Sequence, residues 1–591
     1  MKKRLLEFNN IVKENDDIYR CAARSLGLSD SVFWILYTFR MEKEELTLRE
    51  ICNVLYQPKQ TVHSALKKME KDGYIRAEEG MDDRRSKGLR LTPKGKRLAE
   101  ETADKVIDLE CKAFSGMSGE EQKAFIDLYC AAERKYAGIK YGRRGGKIMA
   151  VQLSDHFTYR KLFRFCLPSV IMMVFTSIYG VVDGLFVSNF VGKVPFAAIN
   201  LVMPFLMILG GFGFMIGTGG CALVAKTLGE KDTDRANRYF SMLVNLTAIL
   251  GVILTVIGII FMEPISKMLG ATEAMMQDCV VYGRVVLLFN SAFMLQNVFQ
   301  SFLTAAEKPK LGLAVTVAAG VTNMALDALF IAGFKWGVAG AALATGISQC
   351  VGGILPFFYF LRPNRSLLRL VRTGFEADIV LKACGNGSSE LMSNISGSLV
   401  SIVYNFQLLR FSGENGVAAY GVLMYVQFIF VAIFIGYTIG TGPVVSYHYG
   451  AGHHDELKSL LKKSYLLMGA AGIAMMLLSR GLAHPLAAIF VGYDAELLAM
   501  TVHAFQLFSF SFILAGFNIF TSSFFTALSN GGISAAISFL RTLVFQLLSV
   551  LLLPLVLGLD GIWWAITVAE AFAFVISLGF LVAKRKKYHY I

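Results

Sequence analysis

Two carboxylates stand alone in long apolar surroundings: Asp183 is the only charged residue between Arg164 and Lys193, and Asp327 the only one between Lys310 and Lys335. A carboxylate in the hydrocarbon core of a bilayer costs at least about 2.5 to 3.5 kcal/mol on insertion scales, so its presence points to function by default. Each has a polar residue four positions earlier, Tyr179 before Asp183 and Asn323 before Asp327, which on a helix lies on the same face one turn away. Such faces can bind a proton or a sodium ion. The competing use is a neutral acid that hydrogen-bonds two helices together. Glu390, alone between Lys382 and Arg410, and Glu570, alone in the last apolar stretch, fit either a transport role or a structural polar contact. Arg284 and Arg541 read as interfacial or as packing against backbone, with a functional role left open for Arg541. Met172, Met173, Met203, Met207 and Met215 offer a deformable lining for assorted ligands or ordinary packing.

The elements that must hold these groups are membrane spans. With 54% hydrophobic and 17% charged residues over 591 positions, the chain is too long for one domain and leans towards a membrane protein. From Phe165 onward, apolar stretches of bilayer-crossing length follow one another. Twelve are expected, at 162–189, 196–228, 235–262, 276–305, 309–333, 337–361, 383–411, 416–449, 458–480, 490–527, 531–557 and 560–583. The longer ones imply tilt, bends or protruding ends. Loops after even-numbered spans carry the positive charge, among them Lys231, Arg235, Lys308, Lys310, Arg369, Lys458 and Lys462, whereas the opposite loops carry about one each. The positive-inside rule puts the former in the cytosol, together with both termini. Spans 1 and 5 then run outward, and Asp183 and Asp327 share a depth in the outer half of the membrane.

The second half of this region repeats the first. "IGTG" at Ile216–Gly219 returns at Ile439–Gly442, "SFLTA" at Ser301–Ala305 returns as "SFFTA" at Ser523–Ala527, and "WGVAGAALA" at 336–344 falls on "LGLDGIWWA" at 557–565, always 221 to 223 residues on. That period is six spans, and an even number makes the copies parallel, related by an axis along the membrane normal, as in secondary transporters. The counterparts of Asp183 and Asp327 fall near Asn405 and Ser549, which confines the acidic site to the first copy.

Over about residues 157–583 the chain resembles the multidrug and toxic compound extrusion (MATE) family, through "YGVVD" at Tyr179–Asp183, "NMALD" at Asn323–Asp327 and Thr345 in the sixth span. The resemblance implies a cation-coupled exporter whose cation site is Tyr179, Asp183, Asn323, Asp327 and Thr345. The coupling ion would be H+ or Na+, with Na+ at Asp183 and Asp327, and no other cofactor or metal. Two departures stand out. Ala328 replaces the family's usual proline, which implies a different bend, and Glu390 falls earlier than the seventh-span acid of some branches.

The first 150 residues are of another kind, with 30 Lys and Arg and 24 Asp and Glu against 28 and 20 in the remaining 441. No apolar run follows the start "MKKRLLEFNNIVKENDD", so no secretory signal is expected. From Thr47 an amphipathic helix (Leu48, Ile51, Leu55), a turn at Gln57 and Pro58, and a helix with Val62, Leu66 and Met69 inward give helix-turn-helix spacing. Its outer face carries Gln60, Thr61, His63, Ser64 and Lys67, groups suited to base edges and phosphates in a major groove. "DDRRSKGLRLTPKG" (Asp82–Gly95) reads as a basic hairpin wing, against the bland alternative of a solvated charge run. Over roughly 10–136 this resembles the MarR family of winged-helix regulators, carried by Asp83, Arg85 and "LRLTPKG" at Leu89–Gly95. The resemblance implies that Arg85 enters a minor groove, that Asp83 holds it, and that helices near Lys13–Leu26 and Ser118–Tyr136 form a homodimer interface.

Nine scattered cysteines without C-x-x-C spacing argue against zinc and against a disulfide framework. No phosphate-binding loop or nucleophile constellation is present, so neither an ATP-driven pump nor an enzyme is expected. The expected fold is mainly α: a winged helix-turn-helix domain at 1–136, a basic glycine-containing linker at 137–156, and a twelve-helix transmembrane transporter of two parallel six-helix repeats at 157–370 and 371–591. It would export amphipathic, cationic compounds across the cytoplasmic (inner) membrane, with double-stranded DNA as the first domain's partner. The rival is a membrane-embedded one-component transcriptional regulator that uses the spans as ligand sensor. A third reading is a relic fusion of two reading frames at Met149.

Overall fold

Apolar helices build most of the chain. The structure, a computed structural model, describes residues 2–42, 45–55, 59–79, 87–125, 151–362, 364 and 366–590. Two units are formed, Met1–Ile148 and Met149–Ile591. In the first, α1 (Lys2–Ser25) and α2 (Asp30–Met41) precede β1 (Glu45–Thr47), α3 (Leu48–Leu55), α4 (Lys59–Lys71), β2 (Ile75–Glu79), β3 (Lys87–Leu91), α5 (Pro93–Glu101) and α6 (Ala103–Ser115). β3 pairs antiparallel with both other strands in the order β1-β3-β2, the winged helix-turn-helix arrangement. Val62, Leu66 and Met69 of α4 are buried with Ile51 of α3 and Ile75 of β2 in one core.

The "TPKG" stretch shows its reasons residue by residue. Thr92 caps α5 by accepting the Gly95 N–H at 3.1 Å, and Pro93 takes the first turn, where a missing N–H costs nothing. A Cβ on Gly95 would lie 1.9 Å from Tyr74 O, so only glycine lets the helix approach β2 this closely. Asp83, Arg85, Gln57, Pro58, residues 126–136 of the expected dimer helix, and the linker up to residue 150 lie outside the described residues.

In the second unit α7 (Tyr159–Phe190), α8 (Lys193–Gly229), α9 (Thr233–Met268), α10 (Glu273–Leu288), α11 (Asn290–Ala305), α12 (Pro309–Asp327) and α13 (Gly337–Leu361) make the first six spans. The second six are α14 (Ala377–Gly450), α15 (His454–Gly481), α16 (Ala483–Val491), α17 (Ala495–Phe508), α18 (Ser511–Ala527), α19 (Gly531–Phe539), α20 (Phe545–Leu552), α21 (Pro554–Leu557) and α22 (Leu559–Tyr588). Among the described residues nine helices are long and apolar enough to cross a membrane, and the bent pairs α10–α11 and α17–α18 bring the number to eleven. The twelfth comes from α14, whose 74 residues would run about 110 Å if straight. It breaks at Gly413, φ 62° and ψ −148°, a conformation that glycine alone adopts readily.

Departures from straight helix recur with the repeat. Spans 4 and 10 bend by 55° and 50°, and spans 5 and 11 each contain a π-helical stretch, Ala328–Gly333 and Leu540–Val544. The first begins at Ala328, where a proline was the family expectation, so the helix is distorted by a widened turn instead of a missing donor. α9 exposes Ile249, Val252, Ile253, Val256 and Ile260 on one face and buries Thr247, Gly251, Gly258 and Met262 on the other. The apolar face suits lipid, and the small residues let neighbouring helices close in.

Glycines also let the two repeats touch. A Cβ on Gly229, which ends α8, would lie 2.1 Å from Tyr447 O, and one on Gly450, which ends α14, 2.0 Å from Lys226 O. Gly387 of α14 would meet Met215 O at 1.9 Å, and Gly440 would meet the Cys166 backbone at 2.9 Å. The repeats therefore meet backbone to backbone towards the end of the bundle that carries the basic loops.

Candidate functional site

Helices of the first repeat bring polar oxygens to one spot in an apolar interior. α7 supplies Tyr179 and Asp183, the bent α10–α11 pair supplies Tyr282 and Gln296, α12 supplies Asn323 and Asp327, and α13 supplies Thr345. The Asp183 and Asp327 carboxyls face each other. Tyr282 lies near both and beside Thr345, and Tyr179 lies beside Gln296. Asp327 and Asn323 are buried. α12 comes this close to α7 at Gly320, where a Cβ would lie 2.5 Å from the Phe175 ring and 2.9 Å from that of Tyr179.

What marks the spot is what its atoms lack. Asp183 Oδ1, Asn323 Oδ1, both carboxylate oxygens of Asp327, Thr345 Oγ1 and Gln296 Oε1 are buried without a hydrogen-bond partner. Buried polar atoms are normally paired, and an unpaired one costs about 1 to 3 kcal/mol. Oxygens left open together can form the donor set of a hard cation, and a proton on one carboxyl would instead join it to the other across α7 and α12. A side cavity of about 40 Å³ borders Tyr282 and Thr345 and is lined also by Met203, Met207 and Gln349. That is room for a water among polar groups. Among the described residues no group of three or more His, Cys, Asp or Glu could hold a metal ion.

The other two acids have different surroundings. Glu390 lines a cavity of about 230 Å³ between the repeats, together with Met173, Thr218, Asn394, Pro443 and Thr526. Met172 and Met215 are packed in the interior. Glu570 is buried and satisfied: its carboxylate accepts from Arg541 Nε at 2.9 and 3.0 Å and from Asn518 Nδ2 at 2.7 Å, and Ser577 Oγ donates to Asn518 Oδ1 at 3.1 Å. Arg541 is thus an ion-pair partner, where sequence reasoning had it interfacial or against backbone. Arg284 does pack on backbone, donating to Ile259 O at 3.3 Å. The isolation that singled out the acids also singles out Arg541, the only charge between Asn530 and Asp560. Tyr282 and Gln296 are neutral and gave no such signal.

In the first unit Gln60, Thr61, His63, Ser64 and Lys67 are all exposed on the face of α4 opposite its buried stripe. Two wing cations are engaged internally: Arg90 pairs with Glu45 at 2.7 Å, and Lys94 donates to Asp72 O at 2.9 Å. α1 and α6 expose Ile18 and Leu109.

Fold and site together define a multi-pass α-helical membrane protein of two parallel six-span repeats, the architecture of a secondary transporter. The MatE family model matches residues 168–329 and again 391–551, more than half of the chain, and the chain belongs to that family. It carries an N-terminal MarR-family domain, with that model matching residues 26–86. The chain is similar to the multidrug export protein MepA of Staphylococcus saprophyticus, 25% identical over 415 residues, 70% of this chain and 91% of the relative. MepA of Staphylococcus haemolyticus is 22% identical over 431 residues, 73% and 94% of the two chains. A solved outward-facing MATE family multidrug resistance transporter of the MOP superfamily shares the fold at TM-score 0.71 and 22% identity, covering 76% of this chain and 100% of that one. A Pyrococcus furiosus MOP superfamily transporter, described by the reverse polarity of its binding pocket, does so at 0.70 and 22%, covering 75% and 100%.

Proposed function

We propose that the chain is an H+- or Na+-coupled antiporter that exports amphipathic, cationic compounds across the cytoplasmic membrane, with Tyr179, Asp183, Asn323, Asp327 and Thr345 as its coupling site. The observation that carries this reading is the set of partnerless buried oxygens around Asp183 and Asp327 in a MatE-family fold. Two facing carboxylates repel when both are charged, and a proton or sodium ion arriving from outside removes that repulsion. α7 and α12 can then draw together, which changes the wall that α7 gives the central cavity through Met173. Substrate and ion thus exclude each other through one helix pair, and the coupling is reciprocal. Glu390 supplies that cavity with a negative charge suited to a cationic substrate. The MepA relatives, named as multidrug export proteins, support the substrate class.

In this reading the basic end of the bundle and both termini are cytosolic. The parts divide at 1–136, 137–156, 157–370 and 371–591. The MarR-family domain is regulatory: α4 and the wing meet double-stranded DNA, and its outer helices pair two copies. The exposed polar face of α4 is the one observation that equally favours the rival, a membrane-embedded regulator.

Asp327→Asn keeps the side-chain shape and removes the charge. In vesicles it should lose efflux of a fluorescent lipophilic cation driven by an imposed proton or sodium gradient, yet still bind that cation; Asp183→Asn should act likewise but more mildly. Normal gradient-driven efflux by both variants at equal expression would falsify the assignment. Failure of both to fold would return the carboxylates to a structural role.

A further inference from the structure

Residues 151–157, immediately ahead of α7, are tied to both repeats at once. The Leu153 N–H donates to Glu307 Oε1 at 2.6 Å. Glu307, at φ 59°, sits in the turn between α11 and α12, in the first repeat. A few residues on, the Phe157 N–H donates to Glu456 Oε1 at 2.9 Å, His156 Nδ1 meets Glu456 Oε2 at 2.5 Å, and Lys463 Nζ donates to Phe157 O at 2.5 Å. Glu456 and Lys463 belong to α15, in the second repeat. Leu153 and Phe157 are fully buried, and the Phe157 ring stands edge-on to Phe165 and His448 at 5.8 and 6.2 Å.

A loop that merely lay on the bundle could satisfy its N–H groups with water. Here two non-helical N–H groups are each held by a carboxylate, one from each repeat, and charge-assisted bonds of this kind are the strong ones. The tether between them is short. Four residues, however extended, reach no more than about 14 Å, so the two carboxylates cannot part far while both bonds hold.

We infer that residues 151–157 are a clasp that holds the two repeats together at their basic ends and must release Glu307 or Glu456 before those ends separate. Its bearing on efflux rests on the transport reading above; its bearing on conformation does not. The covalent path from the MarR-family domain to the bundle runs through this clasp.

The test uses the full chain with Cys221, which lines the central cavity, as the only cysteine. Labelling by a membrane-impermeant maleimide is timed in inside-out vesicles. Glu307→Gln and Glu456→Gln each weaken one tie, and two glycines inserted between Ser154 and Asp155 slacken the clasp without removing a partner. Each should speed labelling several-fold: a glutamine still accepts the N–H but without the charge that roughly doubles the strength of such a bond, and the inserted slack lets the ends part with both ties kept. Unchanged labelling in the folded insertion variant overturns the clasp, whatever the glutamine variants do. Efflux by the unaltered chain is measured in the same vesicles. Faster labelling without any efflux leaves the clasp standing and sinks the transport reading, whereas efflux with unchanged labelling does the reverse.

Discussion

Gly450→Ala should push the transporter towards the state in which its basic end is open. The added methyl would lie 2.0 Å from Lys226 O, and ordinary contact begins near 3.4 Å, so α8 and α14 must separate there by about 1.4 Å. The obstacle is a backbone carbonyl near the end of a helix, which cannot swing aside as a flexible side chain would. Overpacking of this kind costs about 1 to 3 kcal/mol. Any gain in helix propensity from replacing glycine, at most about 1 kcal/mol, is common to both conformations and cancels. The contact exists only while the two helix ends touch, so the cost falls on the closed state alone. The equilibrium should move by roughly 5- to 150-fold. Gly229→Ala, whose methyl would meet Tyr447 O at 2.1 Å, should act in the same direction.

Distances between spin labels on α8 and α14 at their basic ends report this directly, with a long-distance population growing at the expense of the short one. Gly421→Ala is the control: it lies in the same helix, with nothing within 4 Å of its would-be Cβ, and should leave the distribution alone. An unchanged distribution in Gly450→Ala, with a melting temperature lowered by the full overpacking cost, would mean that the contact persists in every state. The reasoning would then be wrong at its central step.

Charge in hydrocarbon is what made part of this molecule legible from its residues. Asp183 and Asp327 are conspicuous because so little else in their spans is polar, and the folded chain brings their carboxyls face to face. The period of six spans was readable because both copies kept short strings, and spans 4 and 10 then bend alike. Neutral groups were not legible. Tyr282 and Gln296 lie on either side of the bend in span 4, and composition does not mark that bend. The partner of Arg541 was not legible because it lies 29 residues away on the next span, at a register that helical periodicity within one span cannot supply. The clasp was hidden for the same reason: Leu153 is 154 residues from Glu307, and Phe157 is 299 from Glu456.

Two further expectations concern charges outside the coupling site. Lys67→Ala, on the exposed face of α4, should weaken binding to duplex DNA almost uniformly across sequences and lower the salt dependence by about 0.9 in log–log slope; an unchanged slope would take Lys67 off the DNA. Arg541→Met should destabilise the bundle. The Arg541 side chain is 16% exposed and that of Glu570 3%, so removing the guanidinium strands a buried carboxylate with Asn518 as its remaining donor. Breaking a buried pair from one side costs about 3 to 5 kcal/mol, which should appear as a clear fall in melting temperature in detergent. Replacing both members, Arg541→Met with Glu570→Leu, removes the stranded charge and should recover most of that loss. A single variant as stable as the original chain would mean that the ion pair does not hold the bundle together.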